Sequence, residues 1–236
     1  MKVLLKNSLL IILFTYVSIL LHRGEINDFP KHIHAWAQSD YYALSLGFID
    51  NGLDFFHPQN FVQNPQFPDY FQTPKENGVT AADFPIHTYN VALLMRLFDS
   101  EAPWIFRSYT LLFSIVGMLF LFLLIKALNG SDIKALFGVA LLLLSPVYLY
   151  YRAGFLPSIP ALSFVIAGYF FYHNYLKSGH YKPFYIALTF FTLATLTRTP
   201  FAIFLIATFC QEGLKVLQQR KMNYSVLISY IFSFSI

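Results

Sequence analysis

The sequence predicts an all-α polytopic membrane protein. Of its 236 residues, 56% are hydrophobic and only 12% are charged, whereas an ordinary soluble domain carries roughly 25% charged residues. Several apolar stretches approach the length of about 20 residues that a helix needs to cross the hydrocarbon core. The single cysteine, Cys210, excludes a disulfide within the chain and a thiol-based metal site.

The N-terminal segment predicts the first transmembrane helix, at about residues 8–22. Lys2 and Lys6 precede an apolar run from Leu9 to Leu21. No small-residue cleavage site follows that run, so we interpret it as an uncleaved helix rather than a signal peptide. The basic flank places the N-terminus in the cytoplasm.

Apolar length predicts the remaining membrane crossings. They are expected at about residues 104–128, 135–151, 157–176, 181–196, 200–217 and 224–236. With this threading the basic residues of three successive short loops fall on the inner side, which is the signal that orients membrane proteins. Basic residues are otherwise spread along the chain in loops, so no nucleic-acid partner is expected. The whole chain, residues 1–236, is predicted to be one transmembrane module.

A large first outer loop is predicted at about residues 23–103. Ten of the 12 acidic residues lie in it, between Glu25 and Glu101, which suggests a site rather than a topology signal. The middle of the loop is rich in proline, asparagine and glycine and has no helical period, so it is interpreted as coil. Such a loop on a bilayer would form a roof over the helix bundle.

Two juxtamembrane helices are predicted in this loop. In the first, Trp36, Asp40 and Leu44 recur four residues apart and share one face, and the dipeptide at 51–52, Asn-Gly, ends the helix. The second, at about 85–98, is too short to span and is placed flat on the outer membrane surface. The apolar residues that recur there at helical spacing are Val91, Leu94, Met95 and Phe98.

Asp40 admits two interpretations from spacing alone. It is either a catalytic carboxylate held at the outer membrane surface or the water-facing acid of an interfacial amphipathic helix. Lone carboxylates on helices are mostly solvated, which favours the second interpretation until other residues are considered.

Five stretches resemble a known family. HAWAQSD at 34–40, NGLDFFHPQ at 51–59 and DFPIHTY at 83–89 look like the first outer loop of GT-C glycosyltransferases. More narrowly, they resemble the family 39-like membrane proteins related to protein O-mannosyltransferases and lipid A aminoarabinose transferases. The stretches at 104–117 and 145–162 are similar to two arginine-bearing junctions of that family. The resemblance implies a GT-C-type transmembrane helix bundle.

The resemblance also implies a function. A hexosyl- or pentosyltransferase of this type moves a sugar from a polyprenyl-phosphate donor to a lipid, glycan or protein hydroxyl on the non-cytoplasmic face of a bacterial-type plasma or inner membrane. By position, Asp40 matches the family's catalytic aspartate, implied to be the general base. Asp83 matches a second acid that relatives use to bind substrate or a metal. The aspartate side chain is shorter than the glutamate that relatives carry at this position, so binding of a divalent metal stays open. No cofactor is implied with certainty.

Two departures from the family pattern accompany this resemblance. Where relatives carry an acid after proline, this chain has Pro157-Ser158, which removes one carboxylate from the expected site. The chain also ends at SYIFSFSI, inside a predicted helix, whereas family members are longer. We therefore expect an N-terminal fragment.

The chemistry requires a cation, because the leaving group is a lipid phosphate whose charge develops in the transition state. Arg152, Arg198 and Arg107 interrupt apolar sequence near the predicted outer ends of spans, and arginine there usually marks a function or a pairing. The alternatives are snorkelling to the interface or pairing with acids of the loop. Substrate contacts are predicted for Asp83, Arg152, Arg198, Trp36, Gln38 and His34.

A second class of function remains open at this point. The chain could be a non-catalytic or degenerate membrane protein, or a fragment of a transporter. A transporter would place ionisable residues in mid-span and show internal repeats. Here the acids cluster in one loop and no repeat is visible, which favours the enzyme.

Overall fold

The computed structural model describes residues 2–60, 84–219 and 224–235. These residues are mostly helical, as predicted. The helices are α1 (Lys2–His22), α2 (Ala35–Asp50), α3 (Ile86–Leu97), α4 (Pro103–Asn129), α5 (Asp132–Leu144), α6 (Pro146–Tyr151), α7 (Ser158–Ser178), α8 (Tyr181–Thr197), α9 (Ala202–Gln219) and α10 (Tyr224–Ser235), with a 3-10 turn at Thr199–Phe201.

Three long helices form the centre of the bundle. Helix α7 packs along both α4 and α8, while α1 and α5 pack against α4, and α9 and α10 pack against α8. One apolar cluster, with Phe184, Phe191 and Tyr230, joins α7 and α8 to α9 and α10. Another, with Phe14 and Phe122, joins α1 and α5 to α4. The bundle therefore has two apolar cores on either side of its central helices.

Two helices within the described ranges are long and apolar enough to cross a membrane, Pro103–Asn129 and Thr199–Gln218. Shorter apolar helices lie at Asn7–His22 and Val226–Ser235. These features and the all-α fold are consistent with a membrane protein. The full set of predicted crossings, and their sidedness, stays a prediction.

The predicted span at 135–151 is interrupted in the structure. Helix α5 ends at Leu144 and α6 begins at Pro146, because proline lacks the N–H that would continue the helix and its ring clashes with the preceding turn. The Ser145 hydroxyl caps the new helix by accepting a hydrogen bond from the backbone N–H of Tyr148 at 3.4 Å. The short α6 delivers Arg152 to the start of the turn before α7.

Helix α3 forms where it is predicted, but part of its apolar stripe faces the protein. Val91 and Met95 are 0% and 1% exposed and pack with residues of α2 and α4. For Val91 and Met95 the assignment to the membrane surface is therefore wrong, because α2 and α4 cover them, whereas Phe98 of the same stripe is 55% exposed. Leu93 and Leu97 remain exposed on the opposite side of α3.

The predicted end of α2 is confirmed. The helix stops at Asp50, Asn51 is its C-cap, and Gly52 adopts a φ of 74°, which is the left-handed conformation that glycine accepts without a Cβ clash. Helix α2 then packs on α3 through Leu44, Phe48 and Ala92.

Candidate active site

The first part of the outer loop is fastened to the ends of α4 and α6. The Arg107 guanidinium donates from Nε to the Asp28 carbonyl oxygen at 2.9 Å. The Tyr150 hydroxyl lies 2.7 and 3.0 Å from the carbonyl oxygens of Lys31 and Ile33. These contacts hold the chain that leads into α2 against the helix bundle.

Gln38 joins α2 to the turn between α6 and α7. It is only 4% exposed, its Nε2 donates to the Ile33 carbonyl oxygen, and its Oε1 accepts from the Phe155 backbone N–H, both at 3.2 Å. A Cβ on Gly154 would lie 2.9 Å from that Oε1, so the turn approaches Gln38 closely. Gln38 is thus occupied by the protein at both ends of its amide, and its predicted contact with substrate stays a prediction.

Asp40 lies on α2 between these anchoring contacts. It is partly buried, and its side chain makes no hydrogen bond or ion pair with another described residue. Burial raises the pKa of the Asp40 carboxyl above its ordinary value, because desolvation disfavours the charged form. No described cation offsets this effect, so Asp40 is a better proton acceptor than a solvated aspartate.

Four residues meet at one corner of the bundle, which we call the Arg198 corner: His34, Tyr151, Ser158 and Arg198. The His34 Nδ1 lies 2.5 Å from the Tyr151 hydroxyl oxygen, and the two rings stack with centroids 6.0 Å apart. Arg198 follows the last residue of α8 and donates from Nη1 to the Ser158 hydroxyl. Its charge also acts on the Tyr151 hydroxyl. His34, which precedes α2, thus contacts α6, and Arg198 joins the end of α8 to the start of α7.

Arg152 and Arg107 form a second, buried group, the buried arginine pair. Arg152 is fully buried and donates from Nε to the Ser114 hydroxyl at 3.1 Å and from Nη2 to the Ser18 hydroxyl. Its Nη1 has no hydrogen-bond partner in the described part of the chain. Arg107 is 7% exposed and donates from Nη1 to the Ala153 carbonyl oxygen at 2.8 Å. Arg152 thus contacts α1 and α4, and Arg107 joins α4 to the turn between α6 and α7.

The other predicted site residues are dispersed. Trp36 exposes 70% of its surface, so it is open to solvent, lipid or a ligand. Asp83 lies outside the described residues. Among those that are described, no group of three or more histidine, cysteine, aspartate or glutamate side chains is arranged to hold a metal ion. The option of a metal therefore rests on the Asp83 prediction alone.

Sequence reasoning missed Tyr150 and Tyr151 as members of the site. Both sit at the end of an apolar run, where tyrosine is common at a membrane interface and carries no separate signal. The available clue was their position directly before Arg152. The sequence marks Ser158 only by the absence of an acid, whereas in the structure its hydroxyl accepts a hydrogen bond from Arg198.

Comparison with known proteins decides the family. A family model described as dolichyl-phosphate-mannose-protein mannosyltransferase matches residues 82–234, which is well over half of the chain. The protein belongs to this family. No curated protein and no solved structure matches it. Membership implies a glycosyltransferase activity of the mannosyltransferase-like kind and a membrane location, as predicted.

The extent of the family match bears on the site. The matched region, residues 82–234, contains all three arginines discussed above and Ser158. It begins after α2 and therefore does not include Asp40. Proteins of this mannosyltransferase family use in general a polyprenyl-phosphate sugar donor and a glycan or protein acceptor. The assignment of Asp40 to the site therefore depends on its local environment and on the sequence pattern around it. The arginines, in contrast, lie within the region that the family model matches.

Proposed function

We propose that this protein transfers a sugar from a polyprenyl-phosphate donor to a hydroxyl group of a lipid, glycan or protein at the non-cytoplasmic membrane face, with Asp40 as the general base. The observation that carries the proposal is the state of Asp40: partly buried, raised in pKa by that burial, and without a described partner. A general base works best when its pKa is moved toward the operating pH and its oxygens are available to the substrate.

In the proposed reaction the acceptor oxygen attacks the anomeric carbon while Asp40 removes its proton. The bond between that carbon and the phosphate oxygen breaks, and the lipid phosphate leaves with an additional negative charge. A preorganised cation at the phosphate lowers the barrier, because it stabilises charge that develops only in the transition state.

Arg198 is the cation that we assign to the phosphate. The only hydrogen bond of its side chain within the described residues goes to the neutral Ser158 hydroxyl, and no described salt bridge involves it. Because a serine stands where the family pattern expects an acid, the positive charge of Arg198 is not compensated there. A guanidinium with remaining donors suits the oxygens of a phosphate.

The position of α2 supports the pairing of Asp40 with Arg198. His34, at the N-terminus of α2, contacts Tyr151 in the Arg198 corner. Asp40 lies about 9 Å further along the helix axis, given a rise of about 1.5 Å per residue. A sugar between the two groups would then have the base on one side and the cation on the other.

The remaining predicted residues receive supporting roles in this proposal. His34 and Trp36 would contact the sugar or the acceptor beside the base. Asp83 would bind substrate or a divalent cation. Arg152 is proposed to act through the turn at 152–157, since its direct contact with the donor would require exposure of the unpaired Nη1.

The decisive experiment replaces Asp40 by asparagine, which keeps the size and most hydrogen bonds but removes the basic charge. Transfer from a radiolabelled polyprenyl-phosphate sugar in reconstituted vesicles should fall by about 10²- to 10⁴-fold, the usual contribution of a general base. The matched control is Asp50→Asn at the exposed end of the same helix, which should retain transfer. Equal activity of the Asp40→Asn and wild-type proteins would show that Asp40 is not the base.

A further inference from the structure

A small cavity lies between α3, α4, α7 and α8, next to Thr197, the last residue of α8. Its volume is about 40 Å³. One water molecule needs about 10–15 Å³ of such space, whereas the pockets that hold small-molecule ligands measure about 300 Å³ or more. The cavity therefore has room for one or a few water molecules but not for a sugar ring.

Four polar side chains line this cavity: His87, Asn90, Tyr109 and Thr197. Two of them pair with each other, since Asn90 donates from Nδ2 to the Tyr109 hydroxyl oxygen at 3.1 Å. The hydrogen of that hydroxyl can still serve a third group. His87 and Thr197 behave differently, because neither side chain pairs with any residue that the structure describes.

His87 has two buried nitrogens that require partners. The residue is 3% exposed, and both of its ring nitrogens lack a hydrogen bond to the described residues. Burial lowers the pKa of the His87 imidazole to about 3, because desolvation disfavours the charged form. The ring is therefore neutral at physiological pH, with one nitrogen that donates and one that accepts. Of the described residues that line the cavity, none is a cysteine, an acid or a second histidine, so a metal ion is not favoured.

Thr197 differs from the other threonines of α8. The hydroxyls of Thr189, Thr192 and Thr195 each donate to the carbonyl oxygen four residues earlier, at 3.0, 2.9 and 2.9 Å. Thr197 is 3% exposed, and its hydroxyl has no hydrogen bond of this kind, or any other, within the described ranges. A buried polar group without a partner destabilises a protein, and an ordered water that makes about three hydrogen bonds is a common solution.

We propose that this cavity binds a water molecule that bridges His87 and Thr197, and that His87 is thereby a positioning residue for Arg198. Arg198 directly follows Thr197 and takes an extended conformation, with φ of −158° and ψ of 111°. The direction of its side chain thus depends on how the last turn of α8 is held. The water joins that turn to α3, which packs on α2 and α4. The positioning role rests on the proposed function of Arg198, whereas the water site does not.

The first test detects the water. The protein is equilibrated in ¹⁸O-labelled water and exposed to a short X-ray pulse, which converts ordered water into hydroxyl radicals that oxidise adjacent side chains. Mass spectrometry should find ¹⁸O on His87 although it is buried. The control is Phe191, 1% exposed within an apolar cluster, which should stay unlabelled. Absence of label on His87, or equal label on both residues, overturns the water site.

The second test measures stability. His87→Leu and Thr197→Val each remove one partner of the water at nearly constant volume, and each should lower the melting temperature by about 2–4 °C. The double variant should lose less than the sum, because no polar pair is then left to bridge. Thr195→Val, whose hydroxyl serves its own helix outside the cavity lining, should combine additively with His87→Leu. A higher melting temperature in both single variants contradicts the proposal, since removal of a group that no water satisfies is stabilising.

The third test measures transfer. His87→Leu should lower kcat and kcat/KM for the donor together by about tenfold, because a displaced Arg198 loses stabilisation of the transition state. His87→Gln keeps one donor and one acceptor and should recover most of this loss. His87→Leu added to Arg198→Ala should cause no further loss, and a further decrease of about tenfold would exclude action through Arg198. An inactive wild-type protein whose His87 takes up the label would refute the proposed function and leave the water site intact.

Discussion

The Arg198 corner and the buried arginine pair contain the same type of side chain in two different situations. Arg152 is 0% exposed and directs two of its nitrogens to hydroxyls of α1 and α4. Arg198 is partly exposed at the end of α8, and its side chain has one described hydrogen bond, to Ser158. No described salt bridge involves either residue.

We interpret this difference as a division of roles, in which Arg152 positions helices and Arg198 binds a ligand. Neutral hydroxyl partners leave the charge of each arginine intact, but only a partly exposed guanidinium presents it to a ligand. Arg152 instead joins helices that are distant in the sequence. Arg107 joins α4 to the 152–157 turn through its hydrogen bond to the Ala153 carbonyl oxygen. The predictions below test whether the two regions divide in this way, from the largest expected effect to the smallest.

Arg198→Ala should reduce sugar transfer by about 10²-fold or more, because the charge on the departing phosphate loses its stabilising donor. The fold should be preserved, since removal of a partly exposed side chain typically changes stability by about 0.5 kcal/mol or less. Transfer assays and thermal unfolding in detergent measure the two effects. Arg198→Lys should recover part of the activity because it restores the charge without the planar fork. A variant that unfolds would instead assign Arg198 to the structure.

Arg152→Ala should have the opposite profile. Loss of a fully buried large side chain costs about 2–5 kcal/mol, so the melting temperature should fall markedly. Arg152→Met should recover most of that stability, since an apolar side chain of similar length fills the space without an ionic desolvation cost.

The partners of Arg152 remain satisfied in the methionine variant. The Ser18 hydroxyl still donates to the Phe14 carbonyl at 2.6 Å, and the Ser114 hydroxyl still pairs with the Tyr148 hydroxyl at 2.9 Å. A stable Arg152→Met protein that has lost transfer as completely as Arg198→Ala would show that Arg152 contacts the donor, and the division between the two regions would fail.

Gln38→Leu tests the link between α2 and the turn that begins at Arg152. The Phe155 N–H would lose its acceptor, and a buried donor without a partner costs about 1–3 kcal/mol. We expect a lower melting temperature and a moderate loss of transfer. Unchanged stability in Gln38→Leu would mean that the turn does not depend on this contact.

The pH dependence of transfer should report the raised pKa of Asp40. The acid limb of kcat/KM should lie above the pH of about 3.9 that an ordinary aspartate would produce, because burial raises the pKa of this carboxyl. Arg198→Ala should leave the position of that limb unchanged, since no described cation lowers this pKa. A shift of the limb to higher pH in that variant would reveal that the two groups interact directly.

The free energy of unfolding should also depend on pH through the Asp40 carboxyl, by a small amount. The folded state binds the Asp40 proton more tightly than the unfolded state does, so stability decreases as the pH rises from the unfolded pKa through the folded one. Asp40→Asn should remove this dependence and slightly raise the melting temperature at neutral pH. No such gain is expected for Asp50→Asn, and an equal gain in both variants would mean that burial of Asp40 is not its cause.

Much of the local structure could be predicted because its causes are short-range. The stop of α2 follows from one glycine with a positive φ at position 52. Helix α3 was located correctly, but the burial of Val91 and Met95 was not predicted, since apolar spacing does not reveal whether a membrane or another helix covers the face. The span at 135–151, which apolar length defines, is divided at Pro146 because proline begins a new helix there.

The sequence by itself determined the helical class, the approximate limits of most helices and the resemblance to glycosyltransferases. Hydrophobic periodicity, capping and motif spacing depend only on residues that are close together in the chain. Tertiary structure alone decided which arginine is buried and which is exposed. It also brought His34 to Tyr151 and Gln38 to Phe155, each across a sequence separation of 117 residues. Burial and pairing at helix ends depend on the packing of segments far apart in the chain, and local sequence carries no record of that packing.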